Sequence, residues 1–413
     1  MDTSPGIPLP VQVDAQGQVI LPKEITGKYG LEPGDEFTVQ AGAEGILLRP
    51  PVSQLRKIYI EPTGRCNLAC RMCIRNSWDE AQGDMSQATF NRLLEGLEGL
   101  KPRPVIVFGG FGEPLVHPGI LPMIASLKEK ARRVELITNG LLFSEKVARE
   151  IIRLELDMVW FSVDHLHTEE FGDPSTLLPN IERLNYLRFL ENSHLPEVGF
   201  VFVATRSNIG ELPGILRGAS RYGVSRYMVT NVLPYTREMC SEMLYARALD
   251  GVGSQPSPWS PVVQLPRMDW NEHTFTPLTR TLHARHNVYI DGTSLAPSEG
   301  RCPFIESGAV AVSWDGAVSP CLALMHSHTS YLHDTPREVR RYAIGNVNDA
   351  SLEAIWDEAG HRAFRKRVHE FDFPPCTSCG GCEMVEANQE DCFGNTFPTC
   401  GGCLWAWGVI QCP

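Results

Sequence analysis

The sequence predicts an α/β chain built on a partial (β/α)6 barrel of TIM type, with a small β-rich domain before it and a cysteine-rich domain after it. Three observations lead there. Strand-like and helix-like segments alternate from Lys57 to about Pro234, the pattern of parallel β/α units. Three cysteines, Cys66, Cys70 and Cys73, follow the first of those strands in C-x3-C-x2-C spacing, at the strand end where such folds carry their chemistry. Nine of the thirteen cysteines crowd into Cys302–Cys412. The expected domains are 1–52, 53–240, a bridging segment 241–295, and 296–413.

With 413 residues, 43% hydrophobic and 21% charged, the chain has the make-up of a soluble globular protein. A net charge of −12 argues against a general nucleic-acid or anionic-membrane partner, which would want a basic face. The start, MDTSPGIPLP, lacks a basic and apolar export signal, and no run nears the roughly 20 apolar residues of a membrane span. A cytoplasmic protein is expected, in which cysteines serve metal or redox chemistry rather than disulfides. Cys240, standing alone, reads as a packed, inert thiol.

In residues 11–50, short β-rich runs (Val11–Val13, Val19–Leu21, Glu36–Gln40, Gly45–Leu48) are split by turn signals at Gly17, Pro33-Gly34-Asp35 and Gly42–Gly45. One short helix, about Lys23–Tyr29, ends at Gly30. The segment resembles the AbrB/MazE/SpoVT-type module, a small β-rich dimer known for DNA binding. Over the first fifty residues, however, seven acidic side chains oppose three basic ones. DNA affinity depends on neutralising phosphates, so the expected role is docking or homodimerisation, with an inert ornament as the plain alternative.

Candidate barrel strands are Lys57–Ile60, Val105–Phe108, Val134–Thr138, Met158–Val163, Val198–Ala204 and Tyr227–Leu233. The first intervening helix has Ser86 as N-cap and Phe90, Leu93, Leu94 and Leu97 at helical spacing. Others lie near Leu121–Lys130, Ser144–Leu154, Leu177–Glu191 and Ile209–Tyr222. Six units fall short of the eight that close a full barrel.

The loop YIEPTGRCNLACRMCIRN (Tyr59–Asn76) is tight enough to bring three thiolates onto one face of a small inorganic cluster. Iron–sulfur clusters usually take four Cys thiolates, so three leave one iron open to a small molecule. Zinc sites favour paired C-x2-C or C-x4-C spacing, which this triplet fits poorly. FGGFGEPLVHP (Phe108–Pro118) follows the second strand. Its glycines let the backbone approach a ligand closely, and Glu113 offers a carboxylate to an ammonium; alone it would read as an ordinary Gly-rich turn. ITNG (Ile137–Gly140) and FSVDHLH (Phe161–His167) end the third and fourth strands, while His117, His165 and His167 read as surface or supporting residues.

These strand-end motifs resemble those of the radical SAM enzymes, in which S-adenosyl-L-methionine chelates the open iron through its amino and carboxylate groups. Met72 stands where an aromatic residue is frequent in that superfamily, and Phe111 where a glycine is common. The resemblance implies that Cys66, Cys70 and Cys73 hold a catalytic [4Fe–4S] cluster. It implies Gly110, Gly112 and Glu113 at the methionine amino group, and Asn139, Ser162 and Asp164 along the cofactor pocket, the last two near the ribose. It also implies reductive cleavage to a 5′-deoxyadenosyl radical that removes a hydrogen from a substrate, the cofactor supplying the radical and the protein its positioning. Reduced ferredoxin or flavodoxin is the expected electron donor.

Residues 234–275, rich in Pro, Gly and Ser, read as a linker or substrate-facing excursion. Beyond it come Cys302, Gly316 and Cys321 (C-x13-G-x4-C), then IGNVNDASLEAIW (Ile344–Trp356), then Cys376, Cys379, Cys382, Cys392, Cys400, Cys403 and Cys412. Cys376-x2-Cys379 and Cys400-x2-Cys403 also fit a four-thiolate zinc ribbon, which would leave five nearby cysteines unexplained. The region resembles the SPASM domain, which holds two auxiliary [4Fe–4S] clusters, with the twenty residues between Cys379 and Cys400 as its departure. The resemblance implies Cys302, Cys321, Cys376, Cys379, Cys400, Cys403 and Cys412 as ligands, the eighth being Cys382 or Cys392.

Taken whole, the order of parts resembles the radical SAM/SPASM maturases of tungsten-cofactor oxidoreductases of the aldehyde:ferredoxin type. The tail NQEDCFGN…PTCGGCLWAWGVIQCP is the most specific part of the likeness. It implies a partner oxidoreductase, or its cofactor, as the target. Two alternatives stand beside it. One is radical SAM modification of a ribosomally made peptide. The other is an iron–sulfur redox-sensing DNA regulator, against which the acidic head and the cofactor-pocket motifs count.

Overall fold

The structure is a computed structural model that describes residues 11–23, 25–26, 37–42, 45–49, 52–78, 80–130, 132–164, 174–218, 222–245, 300–332, 334–378 and 382–413, with shorter stretches between 262 and 294. The head forms two antiparallel hairpins, β1 (Gln12–Val13) with β2 (Val19–Ile20) and β3 (Thr38–Gly42) with β4 (Gly45–Arg49). In the first, Asp14 Oδ1 accepts the N–H groups of Gln16 and Gln18 at 2.9 and 2.8 Å, while Gly17 supplies the φ of +80° that the turn requires. Lys23, Ile25 and Thr26 are helical, and the remainder of the expected Lys23–Tyr29 helix lies outside the described residues.

β5 (Lys57–Ile60), β6 (Val105–Phe108), β7 (Val134–Thr138), β8 (Met158–Ser162), β9 (Glu197–Ala204) and β10 (Val224–Asn231) pair in chain order, all parallel. Helices α1 (Gln87–Gly96), α2 (Ile120–Glu129), α3 (Glu145–Arg153), α4 (Pro174–Leu190) and α5 (Leu212–Gly218) run between them. Ser86 caps α1 by accepting the Thr89 N–H at 3.0 Å, which satisfies one of the free donors of the first turn. Because strand side chains alternate, Ile58, Ile60, Ile106 and Phe108 face the helices and meet Phe90, Leu93 and Leu97 of α1 and its end. Tyr59 and Val107 point to the opposite face, where they join apolar residues of the C-terminal region.

Two elements differ from expectation. β10 begins at Val224, ahead of Tyr227, because pairing with β9 carries the strand through the polar Ser225-Arg226 step, with a register shift there. The helix expected over Ile209–Tyr222 is a 3-10 turn, Ile209–Glu211, followed by the short α5, with Pro213 in its first turn. Inside the stretch expected as a bridge, β11 (Val262–Leu265), β12 (Asn287–Ile290) and β13 (Thr293–Ser294) make a small three-stranded sheet.

The C-terminal region continues the barrel sheet. β14 (Ala309–Val312) lies parallel to β5 in the register Ala309–Lys57 to Val312–Ile60. β15 (Ala317–Ser319) pairs antiparallel with β14; β16 (His328–Leu332) and β17 (Thr335–Val339) form a separate hairpin; β18 (Gly345–Asn346) pairs antiparallel with β15. The result is one nine-stranded sheet from β10 to β18. Residues 409–413 then cross the open side between β10 and β5. Asn231 Nδ2 donates to the Val409 carbonyl at 3.0 Å and Gln411 N–H to Thr230 Oγ1 at 2.8 Å. Lys57 Nζ donates to the Pro413 carbonyl oxygen at 2.6 Å, and the Tyr59 hydroxyl donates to the same oxygen. Among the described residues no helix is long and apolar enough to cross a membrane.

Candidate active site

β5 delivers the chain into the cysteine loop, and hydrogen bonds hold the loop's shape. Cys73 N–H donates to the Cys70 carbonyl at 3.1 Å. Asn76 Nδ2 donates to the carbonyls of Cys70 and Arg71, both at 2.9 Å. Cys66, Cys70 and Cys73 are free and half-buried. Leu68 N–H points at Cys66 Sγ (3.4 Å), a contact that favours its thiolate, and Arg75 Nε–H points at Cys73 Sγ (3.2 Å). Burial works the other way, pushing the Cys66 thiol up and the Cys70 thiol up to about 12. A bound metal deprotonates such thiols outright, so this donor set suits a metal cluster better than a free nucleophile.

The glycine-rich turn after β6 lies directly on this loop. A Cβ at Gly112 would fall 1.9 Å from the Thr63 carbonyl oxygen, and Glu113 N–H donates to the Arg65 carbonyl at 2.8 Å. Only glycine allows that approach. Gly110 has φ +112° and a Cβ there would meet Glu61 Cβ at 2.9 Å. The Glu113 carboxylate is buried: Oε1 accepts from the Thr138 hydroxyl (2.7 Å) and Leu115 N–H (3.0 Å), and Oε2 from Asn139 N–H (2.8 Å). It therefore ties the end of β6 to the end of β7. Burial raises its pKa against the pull of these three bonds. Asn139 Nδ2 in turn donates to Asn67 Oδ1 at 2.9 Å and lies 3.8 Å from Cys66 Sγ. Beyond β8, Asp164 Oδ1 accepts Val203 N–H at 2.8 Å.

All nine strand-end residues expected at the site, Cys66, Cys70, Cys73, Gly110, Gly112, Glu113, Asn139, Ser162 and Asp164, line one cavity of about 320 Å³. Tyr235, Trp405 and Ile410 complete its wall. The last two come from the cysteine-rich tail and carry no motif that reads as a pocket residue. Trp405 Nε1–H donates to Cys412 Sγ at 3.2 Å. His117 is buried and structural, with Nε2 on the Met85 carbonyl and Nδ1 accepting Gly119 N–H, each at 3.0 Å. His165 and His167 lie outside the described residues.

A second cavity, about 60 Å³, is lined by Cys302, Cys321, Cys400 and Cys403. Burial pushes the Cys302 thiol up to about 12 and those of Cys321 and Cys400 well above the usual thiol range. Cys376 stands beside them, its Sγ 3.1 Å from where a Cβ on Gly401 would lie. Among the described residues no three His, Cys, Asp or Glu donors are close enough together to hold one metal ion. The four thiols ring a space instead, a donor set that fits a cluster of several irons. Cys382 is half-buried and Cys392 exposed; Cys379, on which the zinc-ribbon pairing depends, lies outside the described residues. Cys240 is a half-buried thiol packed on apolar neighbours, raised to about 11 by burial and then by Asp334.

Comparison with known proteins assigns the three parts. Residues 11–55 match the family "Antidote-toxin recognition MazE, bacterial antitoxin", residues 60–194 the "Radical SAM superfamily", and residues 302–383 the SPASM "Iron-sulfur cluster-binding domain". The chain is 30% identical over 371 residues to the "Tungsten-containing aldehyde ferredoxin oxidoreductase cofactor-modifying protein" of Pyrococcus furiosus, covering 87% of this chain and 97% of that protein. It is 25% identical to the PqqA peptide cyclase of Granulibacter bethesdensis over 46% of this chain and 49% of that one. Its fold is similar to a solved structure of anSMEcpe with bound AdoMet, with TM-score 0.50 and 17% identity over 86% of this chain and 92% of that one.

Proposed function

The chain belongs to the radical SAM superfamily, in a branch that carries a SPASM iron–sulfur-cluster-binding domain, and on that premise we propose that it is a maturase of a tungsten-cofactor oxidoreductase of the aldehyde:ferredoxin type, acting on the partner protein or its cofactor. It is an enzyme whose cofactors are [4Fe–4S] clusters and S-adenosyl-L-methionine. The observation that carries the reading of the site is the convergence of the cysteine loop and the next three strand ends on a single cavity. The choice of target rests on the 97% coverage of the tungsten-enzyme relative.

In this reading Cys66, Cys70 and Cys73 hold the catalytic cluster. Gly112 lets the turn lie against the loop, so that the backbone there and Glu113 face the methionine amino group. Among the described residues Glu113 Oε2 accepts only from Asn139, which leaves it a lone pair for a ligand. Asn139 spaces the turn from Cys66, and Ser162 and Asp164 border the ribose. Tyr235 and Trp405, both buried, give the cavity an aromatic wall. When bound, the cluster and S-adenosylmethionine supply a 5′-deoxyadenosyl radical on one-electron reduction. Cys302, Cys321, Cys376, Cys379, Cys400, Cys403 and Cys412, with Cys382 or Cys392, hold the auxiliary clusters.

The head is the docking or dimerisation module. Val13, Val19, Ile20, Val39 and Ile46 are all more than half exposed on its hairpins, an apolar surface that suits a protein partner or a second copy better than DNA. Reduced ferredoxin or flavodoxin is the proposed electron donor, in a cytoplasmic setting.

The test is anaerobic reconstitution with iron and sulfide, followed by assay of 5′-deoxyadenosine with dithionite and S-adenosylmethionine and by anaerobic co-purification. Nucleoside formation and capture of a tungsten oxidoreductase support the proposal. Capture of a short precursor peptide instead moves the function to peptide modification, and salt-dependent DNA binding without nucleoside moves it to regulation.

A further inference from the structure

Arg337 of β17 is buried, 6% exposed, against the Cys400-Gly401-Gly402-Cys403 turn. A Cβ on Gly402 would fall 1.6 Å from its Nη1, so the guanidinium sits in a notch that exists because residue 402 has no side chain. Gly401 is as confined, since its Cβ would lie 2.3 Å from the Pro374 carbonyl oxygen and 3.1 Å from Cys376 Sγ. Among the described residues Arg337 Nη1, which is buried, has no hydrogen-bond partner. Among the described residues the acidic groups that bear on it are the thiols of Cys376, Cys403 and Cys400. It also lines the cavity shared by Cys302, Cys321, Cys400 and Cys403.

A guanidinium keeps its charge in proteins, and a buried charge without a counter-ion is costly. Protonated thiols do not balance it. The same thiols carrying an iron–sulfur cluster form an anion, and the unpaired N–H then has a sulfur to face. We propose that Arg337 is the counter-ion and hydrogen-bond donor of the auxiliary cluster carried at this cavity, and that it raises that cluster's reduction potential. The inference rests on the reading of these thiols as cluster ligands. Reduction adds one negative charge to the cluster, so an adjacent fixed cation stabilises the reduced state more than the oxidised one. Net charge and hydrogen bonds to sulfur are among the levers that set such potentials. Arg337 is thus a positioning residue for electron flow rather than a catalytic residue.

The experiment is a potentiometric titration of the full-length reconstituted protein, following each cluster by EPR and counting iron, in wild type, Arg337→Met, Arg337→Lys and Gly402→Ala. Wild-type iron sufficient for a single cluster only would overturn the ligand reading itself, independently of Arg337. With auxiliary clusters present, Arg337→Met is expected to shift one auxiliary midpoint to lower potential or to lose about four irons, with the signal of the SAM-binding cluster unmoved. Arg337→Lys is expected to recover most of that change. Gly402→Ala keeps the charge but crowds the guanidinium from its notch, and should move the same midpoint in the same direction. Arg337→Met with full iron and a wild-type midpoint overturns the proposal, and so does Arg337→Lys as impaired as Arg337→Met. If Arg337→Met cannot be obtained folded, an unmoved midpoint in Gly402→Ala overturns it.

Discussion

His326 Nε2 lies 2.8 Å from Glu61 Oε2, joining the C-terminal region to the first residue beyond β5. On its other side, His326 Nδ1 lies 2.6 Å from Glu80 Oε2. Glu61 Oε1 accepts Phe111 N–H at 3.1 Å, so this imidazole braces the glycine-rich turn of the site from behind. Burial disfavours a charge on the ring, but the hydrogen bonds to Glu61 and Glu80 outweigh it and lift its pKa from 6.5 to about 9. As an imidazolium, the ring donates both of its N–H groups.

Because the folded-state value is raised, the stability from His326 is fully present below about pH 6.5 and is lost as pH rises through about 9. Its size is on the order of 3 kcal/mol. The melting temperature should therefore fall by a few degrees across that alkaline window. His326→Gln should lower it at neutral pH and flatten the slope. Parallel pH curves for the two proteins would refute the assignment.

Gly112→Ala places a methyl group 1.9 Å from the Thr63 carbonyl oxygen. Overpacking of this kind costs about 1–3 kcal/mol, and displacement of the turn should slow 5′-deoxyadenosine formation by about a hundredfold. Rates measured beside melting curves check both, and a wild-type rate would show that the turn does not need this contact.

Cys70→Ala should abolish nucleoside formation and remove about four irons per chain, leaving the auxiliary signals in place. Iron counting with EPR tests this. Persistent nucleoside would take the loop out of its assigned role.

Trp405→Ala removes a buried wall of the cofactor cavity and should cost about 3–5 kcal/mol of stability. It should also raise the KM for S-adenosylmethionine more than it changes kcat. Trp405→Phe should keep most of the packing but lose the N–H that meets Cys412 Sγ. Unchanged KM in both variants would make Trp405 a residue of packing alone.

The barrel was legible because strands and helices alternate along the chain, and two of those helices carry a capping serine, Ser86 and Ser144, ahead of apolar residues at helical spacing such as Phe90 and Leu93. The residues expected at the cofactor pocket share one cavity for a related reason: Gly110, Gly112, Glu113, Asn139, Ser162 and Asp164 lie within a few residues of a strand end, and the cysteine loop follows β5. β14 was not. Its four residues, AVAV, pair with β5 some 250 positions earlier, and nothing local marks that register. Separation along the chain likewise hid the bond between His326 and Glu61, the entry of Trp405 and Ile410 into the cavity, and the seating of Arg337 against Gly402.

The amino-acid sequence by itself determined which donors exist and how they are spaced, since a tight loop or a strand-end turn is set by its own glycines, caps and alternation. Only the tertiary structure decided which distant side chains close the cofactor cavity, brace its turn and neutralise its buried charges. Those pairings depend on packing between segments whose separation along the chain leaves no periodic trace.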